Sequence, residues 1–138
     1  MTDTQTANPG LARWEAAVAK ALDGGGVDDV AACLHPDVTF HSPVVHKAYQ
    51  GAAVTGAILM AVFSVFENFR YTDVLDCDDR AGLVFAANVG DRTLEGWDYL
   101  RLDEDGLITD FTVMVRPLSG ITALAGAMKA KLEELGFA

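Results

Sequence analysis

A chain of 138 residues has the length of one domain and can bury a core without disulfides or a structural metal. Its 20 acidic side chains against 10 basic ones give a net charge of -10, which repels phosphate backbones and anionic lipid surfaces and so argues against nucleic-acid or membrane partners. A hydrophobic content of 51% is high for this size, so an apolar cavity inside the domain and an apolar face covered by a second copy are both expected.

Residues 1–8 are polar, without an apolar run or an early positive charge, and read as a flexible tail and not as a signal peptide, with the domain spanning 9–138. Asn8-Pro9 suits a helix start, and Leu11, Trp14, Val18 and Leu22 then fall on one helical face until the glycines at 24–26. A second, short helix is predicted with Val27, Val30 and Leu34 as its apolar edge, ending at His35-Pro36 because a residue before proline is pushed out of the helical region. Alternation over 38–42 predicts a strand, and 44–47 a short second strand or arm. The run 52–66 is apolar on more than one face and reads as a helix buried on several sides, too short to span a bilayer. From there the period becomes two, and strands are expected over 69–75, 81–90, 93–102 and 107–115. Short turns join them into an antiparallel meander, and Pro117 opens a last helix over 118–135. Helices gathered on one face of a curved antiparallel sheet make an α+β domain.

The run from Ala21 through Asp23-Gly24-Gly25-Gly26 and Leu34-His35-Pro36-Asp37-Val38-Thr39-Phe40-His41-Ser42-Pro43 to Gly51 resembles the nuclear transport factor 2-like superfamily, which includes ketosteroid isomerases and SnoaL-like polyketide cyclases. Trp97-Asp98-Tyr99-Leu100-Arg101-Leu102-Asp103 with Gly106-Leu107-Ile108 is similar to a strand-turn-strand of these domains. The resemblance implies a conical half-barrel closed by helices, a deep apolar pocket, and a homodimer packed through the outer face of the sheet. It implies no one activity, because the scaffold hosts isomerases, dehydratases, cyclases, hydrolases and non-catalytic modules.

Set against that family, Ser42 holds the place where ketosteroid isomerases carry an aspartate base, and a serine hydroxyl is no base near neutral pH without an activating partner. Val18 holds the place of a tyrosine donor, and only Asp98 has a counterpart, which disfavours ketosteroid isomerisation. Phe111, Val113 and Val115 on the last strand leave no aspartate for the Asp-Arg-Asp set of limonene-epoxide hydrolases.

Asp98 shares a strand face with Leu94, Gly96, Leu100 and Leu102, so it is a lone charge on an apolar stripe. Desolvation should raise its pKa, fitting it to donate a hydrogen bond or move a proton; the plainer alternative is a structural carboxyl bonded to a nearby hydroxyl or backbone group. Trp14, Val18, Phe40, Ser42, Tyr49, Phe63, Phe85, Asp98, Phe111 and Val113 are expected to line the pocket, with His46 a weaker candidate for a catalytic part at its mouth. Tyr71 and Asp73 fall on one strand face; if it points inward, Asp73 pairs with Asp98, and if outward it is a solvated charge. The histidines His35, His41 and His46 do not converge at ligand spacing, so no metal is expected, nor does any glycine-rich phosphate loop call for a cofactor. Asp103-Glu104-Asp105-Gly106 lacks the later acidic positions of a calcium loop and reads as a hairpin turn.

Trp97, Tyr99 and Arg101, with Thr112, Met114 and Arg116, occupy the opposite face, a composition typical of an interface core that supports the homodimer. Cys33 and Cys77 form no disulfide framework and suit a reducing cytoplasm. Three functions remain open: a pocket for a small hydrophobic, oxygenated molecule; a cofactor-free cyclase, isomerase or dehydratase using Asp98; and a structural module with its cavity filled by Trp14, Phe63 and Phe85.

Overall fold

In the computed structural model, residues 9–136 are described; the tail expected over 1–8, with Asn8 as helix cap, lies outside them. Four helices, α1 (Pro9–Leu22), α2 (Val27–Ala32), α3 (Ala52–Val65) and α4 (Leu118–Glu134), accompany six strands. The strands are β1 (Leu34–His41), β2 (Tyr49–Gln50), β3 (Glu67–Asp76), β4 (Arg80–Val89), β5 (Arg92–Leu102) and β6 (Ile108–Arg116). They form one curved sheet in the order β2-β1-β6-β5-β4-β3, an α+β architecture with the helices on the inner face.

The meander β3 to β6 is antiparallel throughout, as short turns require. Its period-two pattern sends Leu83, Phe85 and Ala87 of β4, and Leu94, Asp98, Leu100 and Leu102 of β5, inward to bury against the helices. Trp14 of α1 is fully buried among them, packed edge-on against Phe111 and tilted against Phe63. Phe69, Phe85 and Phe66 stack at the other end of the core, beneath Leu124 of α4.

Three local expectations are corrected. The second helix stops at Ala32, and Leu34 and His35-Pro36 belong to β1. That strand pairs in parallel with β6, Leu34 beside Ile108 and Phe40 beside Phe111, so the sheet is not purely antiparallel. An irregularity in the ladder between Leu34 and Thr39 absorbs the proline, which has no N–H to give, and His35 Nδ1 accepts the Asp37 N–H at 2.9 Å. The arm expected over 44–47 is irregular chain; the short strand is Tyr49–Gln50, where Gln50 Oε1 accepts the Thr39 hydroxyl.

Two aromatic rings lie over glycines. Phe85 covers Gly96 on the inner face, and Trp97 covers Gly82 on the outer face. A Cβ on Gly96 would fall within the Phe85 ring, so Gly96→Ala should cost about 1–3 kcal/mol by overpacking. Urea denaturation measures this, and an unchanged midpoint would show that the ring moves freely.

Candidate functional site

Asp98 sits mid-strand on β5, flanked on the inner face by Gly96 and Leu100, with Leu83 of β4 and Val113 of β6 as cross-strand neighbours. Every one of these neighbours is apolar, and the residue is 5% exposed. Among the described residues its carboxylate is held by one donor: the Tyr71 hydroxyl gives its proton to Oδ2 at 2.7 Å. The Tyr71 oxygen in turn accepts the indole N–H of Trp14 at 3.0 Å. Three elements, α1, β3 and β5, thus feed one hydrogen-bonded chain, Trp14 to Tyr71 to Asp98.

Burial away from water pushes the Asp98 carboxyl up to about 7, with the Tyr71 hydrogen bond pulling the other way. Burial and the neighbouring Asp98 charge drive the Tyr71 hydroxyl well above its usual range, so it stays a donor at ordinary pH. Because Trp14 occupies a lone pair on the Tyr71 oxygen, the Tyr71 proton is committed to Oδ2. Among the described residues no hydrogen bond reaches Oδ1, and Asp98 lines an apolar cavity of ≈ 60 Å³.

Of the residues expected at a pocket, Phe40, Ser42, Phe63, Phe85, Asp98, Phe111 and Val113 line this cavity. The others do not. Trp14 and Val18 are buried in the core behind it, and Trp14 acts through Tyr71 instead of touching the space. Tyr49 faces a separate groove, and His46 is exposed on the loop after β1. Among the described residues Asp98 and Ser42 supply the only polar side chains of the wall. The Ser42 oxygen accepts the Val44 N–H at 3.0 Å and the Val45 N–H at 3.4 Å, and no base is bonded to its hydroxyl among the described residues.

The shared face assigned to Tyr71 and Asp73 does not exist. The β3 ladder slips between them, so Tyr71 turns inward while Asp73 is exposed. Tyr71 is the residue that strand alternation alone undervalued; its place two residues after Phe69, whose ring meets it edge-on at 5.1 Å, was the available signal. Ile58 and Val62 of α3, Phe66 just after it, and Leu124 and Met128 of α4 add to the wall. His41 lies exposed on β1, and among the described residues no cluster of three His, Cys, Asp or Glu side chains is arranged to hold a metal ion.

A curved sheet wrapped by helices around an apolar cavity, with a buried carboxyl in its wall, defines a domain of the nuclear transport factor 2-like superfamily. Within it the chain belongs to the SnoaL-like domain family, whose model matches residues 14–111. A steroid delta-isomerase from Pseudomonas aeruginosa is 41% identical, with a TM-score of 0.86 over 94% of this chain and 93% of that one. An uncharacterized protein with a cystatin-like fold from Silicibacter pomeroyi is 34% identical, with a TM-score of 0.84 over 91% of this chain and 86% of that one. A de novo designed protein with a curved β-sheet shares the fold at 13% identity and a TM-score of 0.70, over 88% of this chain and 98% of that one. A search of curated protein sequences finds no match.

Proposed function

We propose that the chain binds a small hydrophobic, oxygenated molecule in the cavity, with Asp98 as its polar anchor. The observation that carries this reading is a carboxyl whose Oδ2 is fixed by Tyr71 while its other oxygen has no hydrogen bond among the described residues, whose cavity wall is otherwise apolar but for Ser42. Protonated, Asp98 donates to a ligand carbonyl; ionised, it accepts from a ligand hydroxyl. A cavity that remains open beside Phe63 and Phe85 weighs against the purely structural module.

Acetophenone and ethylbenzene, which differ by a carbonyl and would put only the acetyl or ethyl group in the cavity with the ring in the groove that Tyr49 faces, test this. Their affinity ratio should fall about tenfold in disfavour of the ketone between pH 5 and pH 9, as Asp98 loses the proton it donates. Acetophenone should also move the Asp98 carboxyl carbon resonance. A ratio independent of pH, with that resonance unmoved, sinks the reading.

A second reading, a cofactor-free cyclase, isomerase or dehydratase, is favoured by a buried carboxyl titrating near neutrality and by the 41% identical protein named a steroid delta-isomerase. The cavity holds a single carboxyl, so Asp98 itself would remove a proton and return it elsewhere on the substrate. A short open-chain β,γ-unsaturated ketone reports on this: conjugation, seen as new ultraviolet absorbance, should depend on Asp98. Conjugation no faster than in buffer rules the reading out for that substrate class.

We further propose a homodimer through the outer sheet face. Met114 stands 59% exposed opposite Trp97, beside the Arg116–Glu95 ion pair and the Arg101 guanidinium over the Tyr99 ring. Met114→Glu should convert a dimer into a monomer in analytical ultracentrifugation, and a monomeric parent protein would refute the assembly. The unpaired thiols of Cys33 and Cys77 suit a reducing, cytoplasmic setting, and no described helix is long and apolar enough to cross a membrane.

A further inference from the structure

The cavity holding Asp98 adjoins a second space. Ser42, Val44, Ile58 and Met128 line it and also line an apolar groove of ≈ 410 Å³ between the 42–49 loop and the later turns of α4. The inner cavity of ≈ 60 Å³ falls short of the ~150 Å³ that takes a benzene ring. The two spaces together come within the roughly 300–1,000 Å³ of small-molecule sites. A ligand with more than a small head at Asp98 therefore has its body in the groove. The wall between them is soft: Met128 is an unbranched, adaptable side chain, and α4 buries only Gly120 and Leu124.

The groove also differs in charge from the rest of the molecule. Among the described residues no acidic side chain lines it, and Lys129 does. Elsewhere the cations are engaged: Lys20, Arg80, Arg92, Arg116 and Lys131 face carboxylates. Arg13 and Arg70 donate to backbone carbonyls, and Arg101 lies over a tyrosine ring. Among the described residues only the side chains of Lys47 and Lys129 make no ion pair, hydrogen bond or ring contact. Lys47 is on the 42–49 loop that forms one wall of the groove, and Lys129 is on the helix that forms the other. In a chain of net charge -10, the two uncommitted cations flank one apolar groove.

From this arrangement we infer that the ligand is elongated and two-ended: a small oxygenated head at Asp98, an apolar body past Met128, and an anionic far end at Lys129 and Lys47. The inference rests on the cavity reading above and adds the substrate class to it.

The test compares 9-oxodecanoate with decan-2-one, which carries a methyl group where the other carries its carboxylate, at pH 6 and low salt. Lys129→Gln, an exposed change, should weaken the keto acid about threefold to fivefold and leave the neutral ketone unchanged. Adding Lys47→Gln should weaken the acid further, and salt should shrink the difference. The inference is overturned if the lysine changes affect both probes alike or neither. The Asp98 carbon resonance separates the two failures. If both probes move it and the lysines are silent, the head site stands and the two-ended ligand falls; if neither probe binds, both fall together.

Discussion

Asp98→Asn should raise the melting temperature at pH 8 while leaving it nearly unchanged at pH 4. An ordinary aspartate loses its proton near 3.8, and the folded protein holds this one to about 7. Between those values the native state carries a proton that the unfolded chain has released, so stability falls as pH rises through the window and levels off above it. The full difference corresponds to roughly 4 kcal/mol. Asparagine keeps an oxygen for the Tyr71 hydroxyl and never ionises, so the variant escapes this loss. Its advantage at pH 8 should reach on the order of 10 °C, given the few degrees per kcal/mol of a domain this size. Parallel melting profiles for the two proteins across pH 4 to 8 would contradict the placement of a strained anion. The same substitution should abolish any proton transfer in the cavity, so stability and activity are expected to move in opposite directions.

Trp14 is expected to give the largest loss of stability. Its ring is completely buried between Phe63 and Phe111, and Trp14→Ala should cost about 3–5 kcal/mol, enough to consume much of a domain's net stability. Trp14→Phe separates packing from polarity. It retains most of the ring contact but removes the N–H bonded to Tyr71, leaving that buried oxygen one donor short. Without the indole N–H, Tyr71 becomes a weaker donor to Asp98, and the Asp98 pKa should rise further. Carboxyl carbon shifts followed against pH measure this; an Asp98 titration identical in the variant and the parent would mean that the chain of hydrogen bonds transmits nothing.

Much of the fold was legible because its signals are local and periodic. Alternation in 81–89 and 93–102 fixes which residues face the core, and with it the lone inward carboxyl Asp98. Glycine stops and Pro117 bound the helices. The parts that were not legible depend on pairing across the sheet. The start of β1 lies in a parallel partnership with β6 that no nearby residue announces, and His35-Pro36 reads as a breaker whether it ends a helix or sits in a bulged strand. The slip in β3 that turns Tyr71 away from Asp73 is likewise a property of the ladder with β4. α3 is apolar nearly all round, so no periodicity singled out Ile58, Val62 and Phe66 for the cavity wall. Trp14 and Val18 of α1 were placed on that wall by the family resemblance, whereas both lie in the core behind it.

The parallel joining of β1 to β6 also bears on how the molecule is made. The two strands lie about seventy residues apart in the chain. A nascent polypeptide leaving the ribosome presents β1 long before its partner exists, while each strand of the meander meets its neighbour within a few residues. Sheet closure is therefore expected late in ordering, and its loop-closure cost should slow folding. Until then the β6-facing edge of β1 is open to solvent, the interval in which aggregation or chaperone capture competes with maturation.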